Sequence, residues 1–187
     1  MAKKEIRVIG IDDSPFNKFK DEKILVVGVV MRGGLYVDGI LSAKAKVDGN
    51  DATNNIIKMV NKCKFQPQLQ CIFLNGIAVG GFNIIDIVEL NNKTKIPVIV
   101  VIRKNPDIGK IKKTLIKINK RNKIKLLEKA GKVIQINKIF VQLIGIDLKR
   151  AREILGIVCT RSLLPEPLRL AHIIAAGIVT GESKGRA

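Results

Sequence analysis

The chain has 187 residues, 47% hydrophobic and 27% charged, which is enough apolar material for a core and excludes general disorder. Lys and Arg number 34 against 16 Asp and Glu, a formal charge of +18 that turns attention to polyanionic partners. A single histidine and three cysteines (Cys63, Cys71 and Cys159), without metal-ligand spacing, argue against a His/Cys zinc site and for small buried thiols in a reducing compartment.

Residues 5–12 (EIRVIGID) alternate and read as a first strand, residues 23–32 (KILVVGVVMR) as a second and residues 35–46 (LYVDGILSAKAK) as a third. Gly33-Gly34 between the last two is a hairpin signal. A helix is expected over residues 51–62 with Asp51 at its N-cap, then a buried strand over 70–74. A glycine-rich turn and a helix over 82–90 follow, and residues 97–103 (PVIVVIR) are apolar enough for a strand covered on both faces. A basic helix is expected over 110–132, short strands over 132–135 and 139–143, and closing helices over 147–157 and 164–180. Residues 181–187 (GESKGRA) have the composition of a mobile tail. Three leading antiparallel strands followed by alternating strands and helices describe a single α/β domain with a mixed sheet over residues 1–187.

The longest apolar run, residues 71–90, is interrupted by Asn75, Asn83 and Asp86, so no bilayer span is expected. The first residues lack the apolar stretch of a secretory signal, and the expectation is a cytoplasmic protein without a membrane partner.

Charge is uneven along the chain. Residues 1–93 carry a net +3 and residues 94–187 a net +15. The densest block repeats Ile111, Leu115 and Ile118 at helical spacing, with Lys113, Lys117, Lys120, Arg121 and Lys123 among its basic residues. Such a face is either solvated lysine or a surface that tracks phosphates, DNA or RNA alike. With aromatics at 4% and no Trp, base stacking is not the main device.

Half of the acids fall within the first 51 residues, several where strands end. Asp12 and Asp13 close the first strand; Asp48 and Asp51 frame the turn before the first helix; Asp86 follows the glycine-rich loop. Carboxylates gathered from strand ends suit Mg²⁺ or Mn²⁺, which takes one or two of them and leaves room for water and phosphate. Each acid also has a plainer use, as a turn residue, a helix cap or a lysine partner.

Residues 11–16 (IDDSPF), 47–53 (VDGNDAT), 76–83 (GIAVGGFN) and 164–172 (LPEPLRLAH) together resemble an archaeal family of domains of unknown function, numbered ninety-nine. That family is similar to endonuclease V, a metal-dependent nuclease with a ribonuclease H-like fold. The resemblance implies that Asp12 binds metal and that His172 lies near it. Where endonuclease V carries a second metal-binding Asp before Gly, this chain has Asn75. Its catalytic Glu has no clear counterpart, Asp48 and Asp51 standing in the comparable stretch, and its Pro-Tyr wedge is missing. On this reading Asp12, Asp48, Asp51 and His172 are the catalytic candidates, and Asp12, Asp13, Asp48 and Asn75 the metal candidates. Arg169 is a phosphate clamp, and Gly80 and Gly81 line a pocket for a phosphate or an extruded base. Two leading functions remain open, a metal-dependent phosphodiesterase and a non-catalytic nucleic-acid binder on a degenerate nuclease frame, beside a third, a protein-interaction module whose basic face is only solvation.

Overall fold

The computed structural model describes residues 5–183. β1 (Arg7–Asp13), β2 (Lys23–Arg32) and β3 (Tyr36–Lys46) lead into α1 (Ala52–Asn61), a 3-10 turn at Gln66–Gln68 and β4 (Leu69–Asn75). Two short strands, β5 (Ala78–Val79) and β6 (Asn83–Ile84), precede α2 (Ile87–Thr94) and β7 (Val98–Ile102). Then come α3 (Ile108–Lys117), a 3-10 turn at Arg121–Lys123, α4 (Ile124–Lys129), β8 (Ile134–Ile136), β9 (Ile139–Ile144), α5 (Leu148–Val158) and α6 (Glu166–Thr180).

Seven strands form one mixed sheet in the order β3-β2-β1-β4-β7-β9-β8, with β5 and β6 as a separate hairpin. β1, β4 and β7 run parallel in the middle; the outer pairs are antiparallel. The central strands are apolar on both faces because helices cover both. Ile9, Ile11, Ile72 and Leu74 pack with Ile56, Val60 and Leu90, residues of α1 and α2. On the opposite face, Val8, Phe73, Ile99 and Val101 pack with Ile154, Leu155 and Leu168 of α5 and α6. Ala171 and Ala175 of α6 also lie against Val27, Val29 and Met31 of β2.

Two sequence expectations give way. The helix expected over 82–90 begins only at Ile87, because Asp86 accepts the Val88 and Glu89 N–H groups as its cap, and residues 78–84 form the β5–β6 hairpin. The basic helix expected over 110–132 is two helices, broken where Asn119 takes a left-handed backbone with φ of 56°. Its apolar stripe is real: buried Leu115, with Ile111 and Ile118, packs on Ile84 and Leu127 over the small hairpin. Lys123 does not lie on a basic outer face; it is buried.

Cys63, Cys71 and Cys159 are free thiols, and burial pushes the thiols of Cys71 and Cys159 up, Cys159 to about 12. Among the described residues no helix is long and apolar enough to cross a membrane. Residues 184–187 of the expected tail lie outside the described residues.

Candidate active site

β1 and β4 are parallel neighbours with Ile11 opposite Leu74, so the next residues, Asp12 and Asn75, reach the same sheet edge. From β1 the chain turns back into β2 on one side, while β4 lies on the other. The crevice outside the carboxyl ends of strands at such a branch is where open α/β sheets place ligands. Alternation along β1 aims Val8, Gly10 and Asp12 at the face covered by α6.

Gly10 is what lets α6 sit there. A Cβ on Gly10 would stand 2.4 Å from the Pro167 carbonyl carbon and 2.5 Å from the Leu168 nitrogen, so no side chain fits. The first turn of α6 therefore lies directly on β1, and His172, further along that helix, brings Nδ1 to 3.0 Å from Asp12 Oδ2. Asn75 Nδ2 donates to the same oxygen at 3.0 Å, and the Asp13 N–H donates to Asp12 Oδ1 at 2.9 Å. Asp12 is 3% exposed, whereas the His172 side chain is 29% exposed and keeps one edge toward solvent. Burial raises the Asp12 carboxyl above its ordinary range, although the bonds from Asn75 and Asp13 and the His172 charge pull it back.

Asp13 points to the other face and accepts the Gly80 N–H at 2.7 Å. Burial raises it to about 6, and the neighbouring Asp12 charge adds to that. The hairpin tip that supplies this bond also serves Asp48, whose Oδ1 accepts the Phe82 N–H at 2.7 Å. Gly81 has a φ of 84°, and a Cβ there would stand 2.5 Å from that same oxygen. Two N–H groups of the glycine-rich loop are thus engaged by carboxylates of the protein itself. Asp51 occupies the N-cap position of α1 without capping it; Oδ1 accepts from the Lys46 N–H and Asn83 Nδ2, and Oδ2 from Asn55 Nδ2. Burial pushes Asp48 and Asp51 upward, but their hydrogen bonds, with nearby lysine charges, outweigh it and hold both below the usual carboxylate range.

The lysines divide in two. Lys113, Lys117 and Arg121 are exposed, as a phosphate-tracking face requires. Lys120 Nζ is bound to the Asp48 carbonyl, and Lys123 Nζ to the carbonyls of Asp48, Gly49 and Phe82. Burial, with the neighbouring Lys120 charge, lowers the Lys123 pKa, and the Asp48 and Asp51 charges counter it. On α6, Arg169 donates Nε and Nη2 to Glu166 Oε2 at 2.9 and 2.8 Å, so two of its donors are taken before any phosphate arrives. Asp86 caps α2 and pairs with Lys129 at 2.6 Å.

The structure therefore brings Asp12, Asn75 and His172 into direct contact and places Asp48 and Asp51 in a second network around residues 80–83. Among the described residues, no three His, Cys, Asp or Glu side chains stand together as a ready cation cage. Sequence reasoning missed Lys123 and Asn83 as organisers of that second network, and a buried lysine inside a basic run leaves no compositional signal. Gly10 was visible only as one residue of the first strand, not as the contact point of α6.

Comparison with known proteins matches residues 4–179 to the family described as Endonuclease dU. The UPF0215 protein of Methanothermobacter thermautotrophicus is 46% identical over 99% of this chain and 93% of its own length, and that of Pyrococcus horikoshii 43% over 98% and 97%. A crystal structure of a protein of unknown function from Archaeoglobus fulgidus superposes with a TM-score of 0.88 at 39% identity, covering 94% of this chain and 99% of that one. Human endonuclease V superposes at 0.58 with 17% identity, over 91% and 83% of the two chains. Endonuclease V of Ciona intestinalis, solved with DNA containing an inosine, superposes at 0.55 with 19% identity, over 89% and 82%. At that identity the likeness is one of fold, and the fold is ribonuclease H-like.

Proposed function

Since the chain belongs to the endonuclease dU family, we propose that it is a divalent-metal-dependent phosphodiesterase that incises nucleic acid containing deoxyuridine. The observation that carries this reading is the contact of Asp12 with both Asn75 and His172 at the strand-end crevice. A buried carboxylate, held by an imidazole whose other edge reaches solvent, is a unit for moving protons at a bound substrate.

Asp12 and the amide oxygen of Asn75 are the side chains that would hold Mg²⁺ or Mn²⁺. The donor set fits such an ion, because Mg²⁺ is commonly held by one or two carboxylates with water and substrate phosphate completing its sphere. When bound, the ion supplies positive charge that polarises the phosphoryl oxygens and acidifies water. Asp12 also orients His172: a carboxylate facing Nδ1 assigns the proton to that nitrogen and leaves Nε2 free. Nε2 is then free to accept a proton from attacking water, while the departing sugar oxygen takes its proton from solvent on the opposite side of the phosphorus. Lys113, Lys117 and Arg121 bind backbone phosphates without reading sequence.

Asn75 favours a second reading. An amide in place of a charged ligand suits a nucleic-acid binder that has lost hydrolysis, and among the described residues no group of three His, Cys, Asp or Glu side chains that could hold an ion gathers at Asp12. The experiment is an incision assay on a labelled duplex with one deoxyuridine, in Mg²⁺ and in Mn²⁺. The first reading expects cleavage in wild type, none in Asp12→Ala, and binding in both. Binding without cleavage under either ion establishes the second reading.

A further inference from the structure

The lysine-poor half of the chain holds a second basic surface. Lys23, Lys44, Lys46, Lys58 and Lys62 line one groove of about 420 Å³ between the β3 edge and α1. Two periodicities assemble it. Lys44 and Lys46 stand two apart on β3, on one face of a strand, while Lys58 of α1 and Lys62 at its C-cap stand four apart, one helical turn along the same side. Lys23 joins them from β2 as the direct cross-strand partner of Lys46. Like charges opposite each other on a sheet are destabilising, so this arrangement works against the fold that carries it.

No ion pair engages any of the five among the described residues. The one acid lining the groove, Asp51, already accepts from the Lys46 N–H, Asn55 and Asn83. All five lysines are exposed at the residue level, so the ammonium groups are open to a ligand. The groove is also close to the candidate site. Asp12 pairs with Val27, and Val27 pairs with Ser42, which lines the groove. Two strand spacings separate Asp12 from Ser42, roughly 10 Å between their Cα atoms.

The geometry points to this groove as a binding track for the phosphate backbone of a nucleic-acid substrate, leading from the strand-end crevice across the β3 edge and along α1. The inference rests on the nuclease reading for its ligand and adds the path. The groove is separate from Lys113, Lys117 and Arg121, which belong to the α3–α4 region. Its ligand chemistry is a row of phosphates, which a free polyphosphate shares, and the test separates the two.

The variant carries Lys44→Gln, Lys58→Gln and Lys62→Gln together. All three side chains are exposed and make no hydrogen bond that the fold needs. Fluorescence anisotropy with a labelled deoxyuridine duplex across a salt series is the main readout. Relative to wild type, affinity near 0.1 M salt falls on the order of 10- to 100-fold, and the slope of log affinity against log salt becomes shallower by about 2 to 3. Unchanged affinity and slope in a wild type that does bind overturn the track alone. A wild type that binds no nucleic acid overturns the track and the nuclease reading together. The second arm uses tripolyphosphate and the thermal midpoint. If it stabilises wild type but not the variant while duplex binding is equal in both, the groove is a site for free polyphosphate, and the nucleic-acid track is overturned.

Discussion

Asp12 and Asp48 are both acids at the end of a β-strand or just beyond it, yet the two regions they organise use their carboxylates in opposite ways. Around Asp12 the donors are one amide, one imidazole and one backbone N–H, and no lysine touches the carboxylate among the described residues. Around Asp48 the charge is answered from within: Phe82 donates its N–H, Lys18 approaches Oδ2 at 3.6 Å, and Lys120 and Lys123 hold the adjacent carbonyls. The first region keeps a desolvated acid whose pKa is raised, and the second keeps one whose pKa is lowered. Raised pKa values produced by burial cluster at chemical sites, while lowered ones accompany structural networks as well. On the proposed reading, the difference sets a place for reaction at Asp12 against a brace around Asp48 that shapes the crevice wall.

That separation predicts opposite phenotypes, and the largest is at Asp12. Asp12→Ala is expected to lower incision by about 10³-fold or more, the equivalent of several kcal/mol of lost charge stabilisation. Its urea midpoint should hold or rise, because a buried desolvated acid is removed. Single-turnover incision and equilibrium unfolding on the same preparation check both halves. Lys123→Met should do the reverse. Removing the ammonium strands the partly buried carbonyls of Asp48, Gly49 and Phe82, at a cost of about 3 kcal/mol in stability, while incision per folded molecule changes by less than about threefold. If Lys123→Met abolishes incision in a protein that is still folded, Asp48 belongs to the reacting centre and the two regions are one.

A third test concerns how α6 meets the sheet. Gly10→Ala forces a methyl group into the Pro167 backbone, so stability should fall by roughly 1–3 kcal/mol. The displaced helix carries His172 with it, and the His172 ring resonances should lose their dependence on Asp12. A stable Gly10→Ala protein whose His172 ring resonances keep their wild-type positions would mean that the helix is not seated by this glycine.

These contrasts also mark how far the residues alone could be read. β2 matches its expected bounds of 23–32, because a strand buried among neighbours on both sides carries an apolar run that its turns delimit. The β5–β6 hairpin was unreadable, since two-residue strands leave no period and its glycine tip resembles any tight turn. The break at Asn119 was hidden for a similar reason: the apolar spacing continues across it, and only the backbone angle reveals the turn. At the site, Asn75 and His172 lie 63 and 160 positions from Asp12, so the meeting of the three is a property of sheet order and of α6 packing. The motifs over 11–16 and 164–172 pointed to Asp12 and His172 through resemblance, the second metal-binding Asp of endonuclease V pointed to Asn75, and no local pattern placed Asp48 and Asp51 in a network apart from them.

The smallest effect is expected at Asn75, and it bears most directly on whether the Asp12 region reacts. In wild type the Asn75 amide donates to Asp12 Oδ2, which helps to keep a buried carboxylate ionised. Asn75→Asp replaces that donor with a second acid of nearly the same size, so packing is preserved while charge is added. Without an ion, two adjacent carboxylates repel, and the variant should be slightly less stable than wild type and more easily stabilised by Mg²⁺. With an ion the repulsion becomes attraction to a shared cation, and the Mg²⁺ concentration for half-maximal incision should fall by about tenfold, one carboxylate ligand tightening a hard-ion site by about that amount. Thermal midpoints across a Mg²⁺ titration measure the affinity change independently of incision. A variant whose midpoint ignores Mg²⁺ would show that the crevice holds no ion even with two acids, and would assign Asp12 to holding His172 alone.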